Sequence, residues 1–132
     1  MVEWHTKSKR MANGAKRKTL RRCTKKKAWK GGTAAHTKAE VDAKEQRNVG
    51  KGLGNTKKVR VTSTKYANIF DNGKVTKAEI IEVEENNANR LFARSNIVTK
   101  GAVIKVKVGK DEKTAKVTNR PGQEGIINAI LA

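Results

Sequence analysis

From Lys58 onward, apolar and polar residues alternate in short runs. Val59 and Val61 alternate with Arg60 and Thr62 until Ser63 ends the series; Ile81 and Val83 alternate with Ile80, Glu82 and Glu84; Ile104, Val106 and Val108 alternate with Lys105 and Lys107. A repeat of two puts one face of a strand on a core and the other in water. Turn residues separate the runs. Asp71-Asn72-Gly73, between Phe70 and Val75, predicts a hairpin, because Asn-Gly adopts the positive φ that a two-residue turn requires. Gly109-Lys110-Asp111-Glu112 joins the next pair in the same way. Asn87 to Ala93 predicts one helical turn between strands, and the nearly unbroken apolar series Ile126, Ile127, Ala129, Ile130 and Leu131 predicts a strand buried on both faces. Strands this short and this closely spaced predict a mainly β fold, a small closed or partly open β-barrel over residues 56–132.

Upstream the alternation disappears. Leu20 is nearly the only aliphatic residue in a long basic stretch, which cannot bury enough apolar surface to offset the entropy of ordering its backbone. Residues 1–55 are therefore expected to be a basic, largely irregular N-terminal extension that orders on its partner. Within it, Lys38 to Arg47 contains the better helix formers, and with Thr37 as N-cap it predicts a helix.

Charge makes the partner a polyanion. The chain has 31 Lys and Arg against 12 Asp and Glu, a net of +19, and the first 30 residues hold 12 bases and the single acid Glu3. Such self-repulsion is relieved most simply by nucleic acid. Membrane binding fits poorly, since no basic segment has a bulky apolar face and no apolar run nears the roughly 20 residues of a span. A single cysteine, Cys23, makes no internal disulfide and no CxxC half-site, which suits a reducing cytoplasm.

The residues suited to RNA are the cations and aromatics of the extension: Trp4, His5, Lys7, Lys9, Arg10, Lys16, Arg17, Lys18, Arg21, Arg22, Lys25, Lys26, Lys27, Trp29 and Lys30. Lys57, Lys58, Arg60, Arg94 and Arg120 extend the set into the barrel. Lysine offers a point charge to phosphate, arginine a planar fork that clamps phosphate or stacks on a base. The indoles of Trp4 and Trp29 fit stacking on unpaired bases and packing of the extension equally well. In Arg120-Pro121-Gly122-Gln123, proline fixes the turn and Arg120 supplies a cation, so an RNA contact and a plain strand connection are equally consistent.

Catalytic chemistry is thinly represented. His5 and His36 lie in the extension, where an unordered backbone does not hold a general base in place. One cysteine and two histidines do not make a zinc site. Glu82, Glu84 and Glu85 are explained by strand alternation or as partners for basic residues before they are explained as a cation site. Gly50, Gly52 and Gly54 have neither the strand-then-helix context nor the Gly-Lys-Ser or Gly-Lys-Thr of a phosphate loop. No enzyme, cofactor or small-molecule substrate is expected.

Thr118 to Leu131 reads TNRPGQEGIINAIL, and Tyr66-Ala67-Asn68, Glu85-Asn86-Asn87-Ala88-Asn89 and Ala93-Arg94-Ser95-Asn96-Ile97-Val98-Thr99-Lys100-Gly101-Ala102 precede it. With Trp4-His5, Gly14 and Lys16-Arg17-Lys18 at the front, these strings resemble, in order and spacing, the archaeal and eukaryotic small-subunit ribosomal protein family S-eight-e. The compact length is similar to archaeal members. Asn119 stands where serine is usual, Asn87 where proline is usual, Gly14 lacks a second glycine, and residues 31–50 match loosely. The resemblance implies a β-barrel with a basic extension, bound in the cytoplasm to small-subunit ribosomal RNA and to neighbouring small-subunit ribosomal proteins. A chromatin-type DNA-binding protein would share the charge, and an assembly factor acting on precursor RNA would share the fold as well.

Overall fold

The β-branched runs become strands, and strand pairing rather than helix packing organises the chain. The computed structural model describes residues 3–5, 8–18, 29–40, 44–71, 73–109 and 111–132. Two compact units emerge, residues 1–34 and 35–132. In the first, β1 (Glu3–Trp4) pairs antiparallel with β2 (Lys30–Gly31). In the second, β3 (Lys38–Ala39), β4 (Gln46–Lys51) and β5 (Lys57–Thr64) form a three-stranded sheet in the order β3-β5-β4. There follow β6 (Tyr66–Asp71), β7 (Lys74–Glu85), α1 (Arg90–Arg94), β8 (Val103–Val108), β9 (Asp111–Val117), α2 (Pro121–Glu124) and β10 (Asn128–Leu131). Strands β10, β6, β7, β8 and β9 close into a barrel.

Closure depends on β10, which runs parallel to β6 and antiparallel to β9, with Ala129 beside both Ile69 and Val117. The interior alternates small and branched residues: Ala67, Ala78, Ala115 and Ala129 against Ile69, Ile80, Ile104, Val106 and Val117, all buried. A five-stranded barrel is narrow, and only such alternation fills it without overpacking. Both expected hairpins form. Asp71 pairs with Lys74 and Val108 with Asp111, and Gly73 and Gly109 take φ of +83° and +68°. The helical turn also forms, as α1, where the Asn89 side chain caps the helix by accepting the Leu91 N–H at 2.9 Å.

Three expectations are corrected. The segment Lys38 to Arg47 is not helical at any described residue. Thr37 Oγ1 instead donates to Val61 O at 2.6 Å, Ala39 N donates to Asn96 O at 2.8 Å, and β3 lies parallel to β5, so the β5 edge outcompetes local helix propensity. Along β7, bulges between Ile80 and Glu82 and between Val83 and Glu85 shift the alternation, so that Ile80 is buried and Ile81 only half-buried. The C-terminal strand buries one face only: Ile127 and Ala129 are inside, whereas Ile126 and Ile130 are exposed.

The outer wall across β7 and β8 matches acid to base. Lys105 Nζ lies 2.8 Å from Glu82 Oε1 and 3.9 Å from Glu84 Oε1. The hydrogen bond to Glu82 holds the ammonium above the ordinary lysine value of 10.5, helped by the charges of Glu82 and then Glu84. A lysine pKa raised by folding stabilises the fold below the unfolded value, and that contribution is lost as pH rises through the folded one. Glu82→Gln is expected to bring the Lys105 titration, followed by NMR at its Cε, back towards 10.5. At pH 7 the stability change should be slight, since the pair is exposed.

Backbone constraint gives a stronger test. Gly125 ends α2 at φ +78°, and a Cβ there would stand 2.6 Å from Val59 Cγ1. Gly125→Ala should destabilise the fold by about 1–3 kcal/mol in a thermal melt. Gly73→Asn, at φ +83° with open space around it, should cost less than about 1 kcal/mol.

Candidate nucleic-acid interface

Two hairpins carry most of the described cations expected to meet RNA. In the first unit, Arg17 N donates to Lys9 O and Met11 N to Ala15 O, both at 2.9 Å, while Arg10 and Lys16 form a β-bridge. Gly14 turns the loop at φ +80°, and Asn13 Oδ1 accepts the Ala15 N–H at 3.1 Å. This short ladder displays Lys9, Arg10, Lys16, Arg17 and Lys18, all exposed, with no acid between them. Beside it, Trp4 stands opposite Lys30, and the His5 N–H donates to the half-buried Trp29 at its carbonyl, 2.8 Å away. The His5 ring occupies the space a Cβ on Gly31 would need. Lys7, Arg21, Arg22, Lys25, Lys26 and Lys27, and with them Cys23, lie outside the described residues.

In the second unit, β4 and β5 make a hairpin whose loop, Gly52 to Thr56, is closed by Gly52 N donating to Thr56 O at 2.7 Å and by Thr56 Oγ1 donating to Leu53 O at 2.7 Å. Lys58 and Arg60 share its outer face, opposite Gly50 and Asn48, because the face of Val61 and Ser63 is buried. Near the tip Lys51 is directly opposite Lys57. Like charges so placed are destabilising until a counter-charge arrives. Leu53, at the tip, is 96% exposed. The sequence pointed to Lys57, Lys58 and Arg60 and not to Arg47 or Lys51 of the same hairpin, because 38–47 read as helical and the rest up to 55 as irregular extension. The signal was the Gly-Leu-Gly-Asn turn between the pairs Arg47/Val49 and Val59/Val61.

The remaining candidates are dispersed. Arg120 takes the N-cap position of α2, its backbone N–H donating to Glu124 Oε1 at 3.4 Å; Pro121 is buried, and α2 packs on β5 through the Val59–Glu124 bridge. The turn is thus a packed strand connection that also leaves Arg120 exposed. Arg94 ends α1, which packs on β7 rather than β5.

The acids are answered locally. Besides the Lys105 pair, Glu79 lies 3.3 Å from Lys65 and is paired in register with Lys107, which is in turn opposite Glu112. Glu82 and Glu84 therefore form a lysine-matched strand face, and among the described residues no cluster of three His, Cys, Asp or Glu is placed to hold a metal. His36 takes φ +40° and rests edge-on against Phe92, ring centroids 5.4 Å apart. No helix among the described residues is long and apolar enough to cross a membrane.

Known proteins match this chain along nearly its whole length. The family model of ribosomal protein S8e matches residues 4–132. The small ribosomal subunit protein eS8 of Methanococcus maripaludis is 41% identical over 133 residues, covering 99% of this chain and 98% of the relative. That of Methanococcus vannielii is equally similar, and that of Methanococcus aeolicus is 42% identical over 130 residues, 97% and 95% of the two chains. With barrel, basic hairpins and near-complete coverage in agreement, the chain belongs to the ribosomal protein S8e family.

Proposed function

We propose that this chain is a structural constituent of the small ribosomal subunit that binds and stabilises folded small-subunit ribosomal RNA, through the basic residues 1–55, the β5 cations and the barrel. One observation carries the reading: the barrel-wall acids Asp71, Glu79, Glu82 and Glu84 each lie near a lysine, whereas Lys9, Arg10, Lys16, Arg17 and Lys18, and again Lys51, Lys57 and Lys58, are displayed together without acids. Charge left unmatched by the protein is matched by phosphate. A-form RNA hides its bases in a deep major groove, so such cations read backbone and shape more than sequence. Relatives are named small ribosomal subunit proteins, which supports the ribosome as the place of action and neighbouring small-subunit proteins as further partners. The role is structural, not enzymatic.

Sucrose-gradient sedimentation of a native lysate tests this, with a wash at about 0.5 M salt to strip loosely held electrostatic binders. The chain should remain with small subunits and translating ribosomes; confinement to precursor particles, or to DNA, would refute the reading. In vitro, log affinity for small-subunit RNA should fall linearly with log salt. The double variant Lys57→Gln, Lys58→Gln should flatten that slope by roughly 0.7–0.9 per lysine, with the thermal midpoint unchanged or raised as the Lys51 repulsion is relieved.

A further inference from the structure

Between the β4–β5 hairpin and the barrel wall lies an open cleft of about 200 Å³. Its floor is apolar, from Val61 and Ile127, and its rim holds Arg47, Tyr66, Asn68 and Lys77. Tyr66, the only tyrosine of the chain, faces outward, because its neighbour Ala67 points into the barrel, and it stays 38% exposed. Lys77 Nζ stands 4.0 Å from the centroid of its ring, and Lys65 Nζ 5.9 Å. Asn68 Nδ2 donates to Asn128 Oδ1 at 3.2 Å across the β6–β10 pair, which fixes an amide at the cleft edge. Glu45 also lines the cleft, but Arg47 Nη2 holds its carboxylate at 2.6 Å, so the rim remains cationic through Lys77.

We propose that this cleft receives one unpaired nucleobase of the bound RNA, stacked on Tyr66 with its edge towards Asn68 and a flanking phosphate towards Lys77. The inference rests on the RNA-binding reading above and deepens it. Size favours a tethered base. Pockets that hold free cofactors or metabolites run to roughly 300–1,000 Å³, and a smaller, open cleft keeps a ligand only when the rest of that ligand is anchored elsewhere. The Lys57 and Lys58 hairpin forming one wall supplies such an anchor. Aromatic side chains are the platforms on which RNA-binding folds stack splayed bases, since every base has a π-face; a base on Tyr66 would share the ring with Lys77 or displace its ammonium towards phosphate. As a core residue Tyr66 would be poorly used: it buries only part of its ring, and its backbone N–H is already satisfied by Thr64 Oγ1 at 3.3 Å.

The test uses the full-length chain and small-subunit ribosomal RNA transcribed with 4-thiouridine in one preparation and 6-thioguanosine in another. Irradiation followed by mass spectrometry should place a nucleotide adduct on the peptide containing Tyr66. Tyr66→Leu, which keeps apolar bulk but no stacking face, should lose that adduct and weaken binding by about tenfold with an unchanged salt slope. Tyr66→Phe should retain both. Lys77→Gln should flatten the slope by roughly 0.7–0.9, as expected for one phosphate contact. Wild-type binding with adducts only on other peptides, and with Tyr66→Leu at full affinity, overturns the cleft while leaving the ribosomal reading intact. Crosslinking of the same peptide to a neighbouring protein in native subunits also overturns it. Failure of the wild-type chain to bind the RNA at all overturns both.

Discussion

Ala129 lies between Ile69 and Val117, and this double pairing of β10 turns an open sheet into a closed wall. With one edge of β10 on β6 and the other on β9, no barrel strand is left with a bare row of donors and acceptors along these contacts. The residue at the join must be small, because Ile69, Ile104 and Val117 already fill the middle of a narrow interior. Outside the barrel, the β3-β5-β4 sheet is held by packing of α2 on β5, where Gly125 lets Val59 approach, and by Thr37, whose hydroxyl binds the Val61 carbonyl. The β4–β5 hairpin thus has a fixed root and an exposed tip.

Charge is treated in two ways. On the barrel wall, Lys65, Lys105 and Lys113 each lie within 4 Å of a carboxylate, an exposed pairing worth little in water. On the hairpins the cations stand beside one another, Lys51 directly opposite Lys57, so the hairpin itself leaves their repulsion uncompensated.

Local chemistry was readable in the sequence and competition between segments was not. Gly73 takes the positive φ of its own turn, and a helical turn expected over Asn87 to Ala93 forms at Arg90–Arg94, so both were legible, the second to within three residues. The strand alternation of Ile104 to Val108 was legible for the same reason. Lys38 to Arg47 misled because the donors of Thr37 and Ala39 find acceptors on Val61 and Asn96, 24 and 57 residues away. The bulges of β7 were hidden because bulge position is set by register against β8, which no window of β7 contains. Among the candidate contacts, the basic density of the extension and the Lys57-Lys58-Arg60 run were plain, whereas the placing of Arg47 and Lys51 on one hairpin, and the cleft beside Tyr66, follow only once β4 has been laid against β5. Family resemblance fared better than periodicity, since an ordered string such as TNRPGQEG encodes its tertiary context already.

The order of barrel strands in the chain has a consequence for biosynthesis. β10 is the last of them to be translated, yet it must reach back to pair with β6, some 60 residues earlier. Until it emerges, β6 and β9 keep open edges, while every cation of the first hairpin and of β5 has already left the translating machinery. The most basic part of the chain is therefore already exposed before the barrel has the strand that closes it, so the late step of folding is the long-range pairing of β10.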